Sequence, residues 1–549
     1  MKALSVVALA SILIGASYAA DADSAPSELD QLKAKLAAQQ AQIEQLKQIL
    51  ADQAVALDKI EAKTKAVEGP QFPATGQIAS TTPVVPPAPD PAPKPSPLPI
   101  VPPVPQAAQD QSSPLQLHIG DTTLTPVGFM DLTNTWRSTN AGTSLQTNFG
   151  SIPYNNTTAG RLTEDKISAQ NSRIGFRADG AYKGWNYMGY FEGDFVGGVG
   201  DTAYNTQVSS NSVIFRLRQY YVVTRKGAFE FQAGQSWSLM TPNRNGLSPL
   251  PADLFYGQVV DVNYLNGLTW GRIPGVRFLF HAADDKVNFG LSLENSTQYF
   301  GGSGGGGTPT LPTALSTLTS SELDDNVTNG IKLPNVAPDI IGKLAFQPTS
   351  KVHFEIAGVL SQFKLWNPNT NVYFSKAGGG GSVNANFELF KGFRLITNNF
   401  WSDGEGRYLF GVAPDLIVRA DGSPSLIHAG STVNGFELTM KNTLLYAYYG
   451  GITIEKNVAY DANGKTLIGY GYTGSANSQN RVTQEVTFGL TQTLWRDTKY
   501  GALQSMLQYA WFMRDPWYVA LNAPKNTHEN VIWFNMRYTL PGGAPSVKY

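Results

Sequence analysis

Four arginines, Arg173, Arg177, Arg216 and Arg218, stand on one parity of segments that are otherwise apolar or aromatic, NSRIGFRADG (171–180) and IFRLRQYYVV (214–223). The segment between them, WNYMGYFEGDF (185–195), puts Glu192 and Asp194 on a single parity, and AFEFQAG (228–234) adds Glu230. Guanidinium and carboxylate groups thus stand in alternate rows. They suit transient binding and steering of small charged solutes in water. Other chemistries lack their residues. A lipase-type barrel enzyme needs a Ser–His pair near the lipid boundary, and no compelling pair is visible. The five histidines, His118, His281, His353, His428 and His528, have no metal-ligand spacing, and there is no cysteine. The glycine runs at 304–307 and 378–381 lack the strand–loop–Lys-helix setting of a phosphate cradle and read as flexible loop glycines. No catalytic residue, metal or cofactor is expected, and a net charge of −1 gives no argument for nucleic acid.

Residues on alternate positions need strands to hold them. Ile174 and Phe176 oppose Arg173 and Arg177; Trp185, Tyr187, Phe191 and Phe195 oppose Asn186, Glu192 and Asp194. Val213, Phe215, Leu217 and Tyr221 are read against Arg216 and Arg218, and Phe229 and Phe231 against Glu230 and Gln232. Near the end, Ile532, Phe534, Met536, Tyr538 and Leu540 oppose Asn535 and Arg537. An arginine facing lipid at mid-membrane costs about 2–4 kcal/mol, so four of them outward would cost on the order of 10. The charged parity therefore faces a water-filled interior and the aromatic parity faces acyl chains. The inward parity carries eight basic residues, Arg173, Arg177, Arg216, Arg218, Arg277, Lys343, Arg394 and Arg537. Eight acidic ones balance them: Asp131, Glu192, Asp194, Glu230, Glu294, Glu355, Glu437 and Glu485. Anion preference thus requires local clustering. The arginines of strands two and four either form a basic ladder or serve only to pair with Glu192 and Asp194 and stiffen the wall.

Short connections recur at 179–184, 224–227, 283–286, 347–351, 390–392, 441–442 and 495–501. Stretches of fifteen to forty residues lie between them, including GGSGGGGTPTLPTALS (301–316) and SKAGGGGS (375–382). Seven hairpins, a first strand near 127–137 and a last near 529–540 make sixteen strands. Short turns on one rim, long loops on the other and an even strand number predict an all-β, antiparallel transmembrane barrel over 118–549. Sixteen strands leave an aqueous channel. The connection SLMTPNRNGLSPLPADLFYGQ (238–258), with Asn243, Arg244 and Asp253, is the candidate to fold inward as a constriction loop; the alternative is an outward extracellular loop.

The N-terminal part differs in kind. Residues 1–19 read as a secretory signal, with Lys2 before an apolar run and small residues at Ser17 and Ala19. In 24–68, Leu29, Leu36, Ile43, Leu50 and Leu57 recur every seven residues, which predicts a helical coiled coil. Residues 69–117 form a Pro-rich linker, twelve of the 23 positions in 83–105 being proline, and should be a semi-rigid polyproline spacer. One function for this arm is to tether the outer membrane to peptidoglycan.

The runs RLRQYYVVTRKGAFEFQAGQSWSL (216–239), GRYLFGVAPDLIV (406–418) and LLYAYYGG (444–451) resemble the DcaP-like outer-membrane porins, as does the order of coiled coil, Pro-rich spacer and barrel. The resemblance covers nearly all of the mature chain. It implies a homotrimer in the outer membrane of a Gram-negative bacterium, a periplasmic coiled coil, and passage of small anions such as dicarboxylates. It also implies that 238–258 is the constriction loop.

Overall fold

A strand with one greasy and one polar face still has two edges to satisfy, and this chain satisfies them by closing the sheet on itself. The computed structural model describes residues 36, 40, 44, 47–48, 114–141, 145–197, 214–247, 255–257, 264–302, 306–316 and 337–541. Sixteen strands form the wall: β1 (Thr122–Arg137), β2 (Arg173–Tyr182), β3 (Trp185–Gly197), β4 (Ile214–Lys226), β5 (Phe229–Trp237), β6 (Arg272–Ala282), β7 (Val287–Glu294) and β8 (Asp339–Thr349), followed by β9 (Val352–Asn367), β10 (Val372–Phe390), β11 (Phe393–Asp403), β12 (His428–Met440), β13 (Thr443–Ile454), β14 (Asn480–Asp497), β15 (Gly501–Pro516) and β16 (Thr527–Thr539). Each pairs antiparallel with the next. β16 returns to β1, with Val531–Thr539 opposite Phe129–Arg137, and the barrel is closed. Two short segments, Leu117–Ile119 and Glu164–Ser168, pair with β1 and lengthen the wall there.

All seven expected short turns connect successive strands on one rim. Their tightness needs left-handed backbone, as at Lys183 (φ 49°) and Lys441 (φ 51°). The other rim carries the longer connections, with one exception. Residues 368–371 join β9 to β10 in a four-residue turn, so 375–382, expected as a loop, lies inside β10. Its glycines are strand residues chosen for space. A Cβ at Gly378 would come within 2.6 Å of the Phe363 ring, and one at Gly380 within 3.0 Å of the Phe400 ring.

The outer face carries Ile174, Phe176, Phe191, Phe215, Leu344, Ile356, Phe488 and Phe534, all exposed. A girdle of this extent is stable against hydrocarbon rather than water. The inner face is not uniformly polar, which corrects the expectation of a wholly water-filled lumen. Along β8–β16 the inward side chains Val359, Phe400, Val433, Tyr446, Phe512 and Trp533 join one buried cluster with Phe149, Met240, Tyr264, Leu409 and Ile417 from the connections. Several of these strands carry apolar side chains on both parities. β13 turns Leu444, Tyr446, Tyr448 and Ile452 inward while Tyr449 stays exposed outside. Loops with apolar residues therefore dock on that half of the wall, and the charged half (β2–β6) is left facing them.

The chain divides into two units, Met1–Val101 and Pro102–Tyr549. In the first, residues 36, 40, 44, 47 and 48 are α-helical and exposed, with Lys47 paired to Glu44 at 3.1 Å. The signal segment, the rest of the coiled-coil seam and nearly all of the Pro-rich linker lie outside the described residues.

Candidate pore lining and constriction

Each of the four arginines on β2 and β4 meets a carboxylate because the pleat turns both to the same side. Asp194 pairs laterally with Arg216 across β3–β4, and the guanidinium grips it with two bonds of 2.9 and 2.6 Å. Arg218 bridges Glu192 (2.8 Å) and Asp194 (2.6 Å). From β2, Arg173 approaches Glu192 at 3.8 Å, while Arg177 binds Asp179 at 2.8 Å. The Tyr190 hydroxyl donates to the other Glu192 oxygen at 3.0 Å. On β5, Glu230 lies 3.3 Å from His281. The ladder is therefore interleaved with acids, and access along it is unequal. The Arg218 side chain is fully buried, whereas Arg177 and Arg216 each keep 27% of their side-chain surface.

One placement differs from the sequence reading. Tyr221, expected on the lipid side, is buried inside and stacks on Tyr190 at 5.5 Å. The register of β3 against β4 shifts between Glu192/Gln219 and Gly193/Leu217. That bulge turns Arg218 and Gln219 inward in succession and reverses the parity of everything after them, so Tyr220 and Val222 face out. A single extra residue has no signature in an alternating pattern.

The connection after β5 crosses the lumen. Trp237 O accepts from Arg277 on β6 (2.6 Å), and the Leu239 amide donates to Glu294 on β7 (2.8 Å). The Asn243 amide donates to Glu355 on β9 (3.1 Å), beside Lys343, whose ammonium holds Glu355, Thr241 O and the Asn243 side chain at 2.8, 2.8 and 3.0 Å. Arg244 reaches furthest. It forms a fork of two 2.7 Å bonds with Glu437 on β12, and its guanidinium lies 4.9 Å from the Tyr256 ring centre. Further on, the Asn266 amide donates to Glu485 on β14 (2.7 Å) and the Thr269 amide to Asn398 on β11 (3.0 Å). Thus the inward-facing Lys343, Glu355, Glu437 and Glu485, counted as lining charges, are anchors for the loop. Asn243 and Arg244 sit in the crossing segment; Asp253 lies outside the described residues.

A second anchor was not legible in the sequence. In the β11–β12 connection, Arg407 is surrounded by Glu405 (3.0 Å), Asp415 (3.0 Å) and Asp339. Burial, with Asp339 and Asp415 close by, raises Glu405 to about 8 even though Arg407 opposes it; burial likewise raises Asp415 to about 6. One cation cannot neutralise three carboxylates in a dry pocket. The apolar run LFGV (409–412), among the family-like motifs, is the only trace of this inward packing that the sequence offers. The sign of the pH effect follows. With its folded pKa above the ordinary carboxyl value, Glu405 favours the docked loop fully below about 4.5, and that contribution is lost as pH rises towards 8. Heat stability is expected to fall between pH 5 and 9, and Glu405→Gln to flatten that fall. A melting series in which both proteins keep the same slope would refute the assignment.

No protein-family model matches the chain, and no curated protein matches it in sequence. Among solved structures, the outer-membrane channel DcaP of Acinetobacter baumannii is similar with a TM-score of 0.54 at 14% identity, over 76% of this chain and 97% of that one. An anion-selective porin from Comamonas acidovorans gives 0.43 at 11% identity, over 76% and 99%. The first likeness shows the fold: this chain has the barrel architecture of a DcaP-like porin.

Proposed function

We propose that the protein is an outer-membrane diffusion channel for small hydrophilic solutes, with a preference for anions of the dicarboxylate class, and that it works as a homotrimer. The observation that carries this reading is the partition of the closed wall. An apolar girdle faces outward, while arginines and carboxylates face a lumen crossed by a loop anchored on the far side. Such a loop narrows a tube without closing its charged side, and size and lining charge then decide what passes. Support for anions is local. On β2–β4, Arg173, Arg177, Arg216 and Arg218 outnumber Asp179, Glu192 and Asp194, and Arg177 and Arg216 each keep 27% of their side chains accessible against a single accessible acid, Asp179 at 38%. A dianion that bridges such guanidinium groups gains charge-assisted bonds without leaving water entirely.

Purified protein in planar bilayers is expected to give stepwise conductance, and in a salt gradient a reversal potential of the sign for anions. A silent bilayer would remove the channel reading. Stable steps without anion preference would remove only the substrate class.

A further inference from the structure

The seven short turns share a residue type that turn geometry does not require. Lys183, Lys286, Lys351, Lys391, Lys441 and Lys499 each lie in one of six turns, and Lys226 ends the strand before the seventh. All of these side chains are exposed. Lys183 and Lys441 hold left-handed backbone, where glycine, asparagine or aspartate fit better, so the turn does not select lysine there. Nor do neighbouring acids, most of which have other partners. Asp179 and Glu388 meet Arg177 (2.8 Å) and Arg394 (3.4 Å). Asp285 is held by Arg225 and His281, each at 2.8 Å, and Asp497 accepts the amides of Lys499 (2.7 Å) and Tyr500 (3.1 Å). Among the described residues, none of the seven ammonium groups forms an ion pair. Their position can be read at two of them. Lys226 has the parity of Tyr220 and Val222, the lipid side, and lies opposite Phe229. Its Nζ is 5.6 Å from the Trp185 ring centre, and Lys183 Nζ is 5.1 Å from that of Tyr182. Both rings belong to an exposed outward band at this rim, with Phe229, Phe280, Phe390 and Trp495. These two cations therefore sit on the outer perimeter, against the aromatic band, and not over the pore mouth.

We propose that the short-turn rim is a binding surface for anionic phospholipid headgroups, whose phosphates meet the crown of lysines. The inference rests on the reading that the barrel spans the outer membrane, in which short turns lie at the periplasmic leaflet. Aromatic side chains at a membrane boundary sit at headgroup level, so an ammonium held against them lies at the depth of the phosphates. A basic side chain at that depth favours anionic lipid by about fivefold. The residue type fits as well. A compact ammonium on a flexible stem can follow headgroups that move, whereas a guanidinium fork suits a fixed partner. All seven turn segments carry lysine, and arginine joins it only at Arg225 and Arg496. A cell-wall polymer would reach the turns from the aqueous side and would not call for cations beside lipid-facing rings. Charge complementarity and position together select the lipid.

The test uses the full chain in phosphatidylcholine bilayers containing a trace of spin-labelled phosphatidylglycerol or spin-labelled phosphatidylcholine. Electron spin resonance then measures the fraction of each label immobilised on the barrel. The wild type is expected to prefer phosphatidylglycerol by at least about twofold, since only some positions around the perimeter meet a lysine. Added salt should erase the preference. In the variant Lys183→Asn/Lys226→Gln/Lys391→Gln/Lys441→Asn the ratio should fall towards one. Its two asparagines suit left-handed backbone, so those turns keep their geometry. Equal immobilisation of the two lipids by the wild type overturns the proposal, as does a preference that the variant retains. If the variant folds poorly, the wild-type ratio with and without salt still decides. Retention of the wild type on purified peptidoglycan that the variant loses, with both lipids immobilised alike, would assign the lysines to the cell wall instead. Stepwise conductance of the same samples is a separate readout, so absence of a lipid preference and failure of the channel reading are distinguishable.

Discussion

Replacing Arg244 by methionine is expected to release the crossing loop and enlarge the open pore. The guanidinium is buried against Glu437, with 3% and 4% of the two side chains exposed, and the Tyr448 hydroxyl completes the carboxylate's shell at 2.9 Å. Removing one partner of a buried pair leaves the other charge stranded, a loss of about 3–5 kcal/mol. At 1.4 kcal/mol per factor of ten, the docked-to-undocked ratio falls by roughly two to three and a half orders of magnitude. Single-channel traces should show higher and noisier conductance. Pairing the change with Glu437→Leu removes the stranded charge and should restore much of the docking. Traces indistinguishable from wild type in the Arg244→Met protein would mean that Lys343, Glu294 and the Asn266 contact hold the loop without Arg244.

The second large effect separates two roles within the arginine ladder. Arg218 is fully buried and bridges Glu192 and Asp194, whereas Arg216 shares Asp194 but keeps 27% of its side chain exposed. Arg218→Met should therefore act mainly on stability. It strands two carboxylates that Arg216 and Arg173 only partly compensate, costing about 3–5 kcal/mol. Arg216→Gln removes charge where solutes can reach it and should move the reversal potential towards cations with a smaller change in melting. The test is the crossed pattern, read by melting and by reversal potential on the same samples. If the two variants shift both quantities alike, burial does not divide the ladder. If neither moves the reversal potential, these arginines only stiffen the wall.

Both variants act on residues that the sequence had already placed inside, because a two-residue period leaves no choice once one face must meet hydrocarbon. The alternation in 171–177, 185–195 and 529–540 determined strand number, the outward girdle and the inward charges, and the short turns located one rim. Local rules were enough there, since the pleat and the cost of a charge in lipid act residue by residue. Tertiary structure decided the rest. The bulge at Arg218–Gln219 reversed the side chains that follow it, and the glycines of 378–381 became strand because Phe363 and Phe400 fill the space beside them. Arg244 meeting Glu437, and Arg407 meeting Asp339, join positions far apart in the chain. No period or composition encodes such pairs. They exist only once the closed wall brings opposite strands within reach of the same loop.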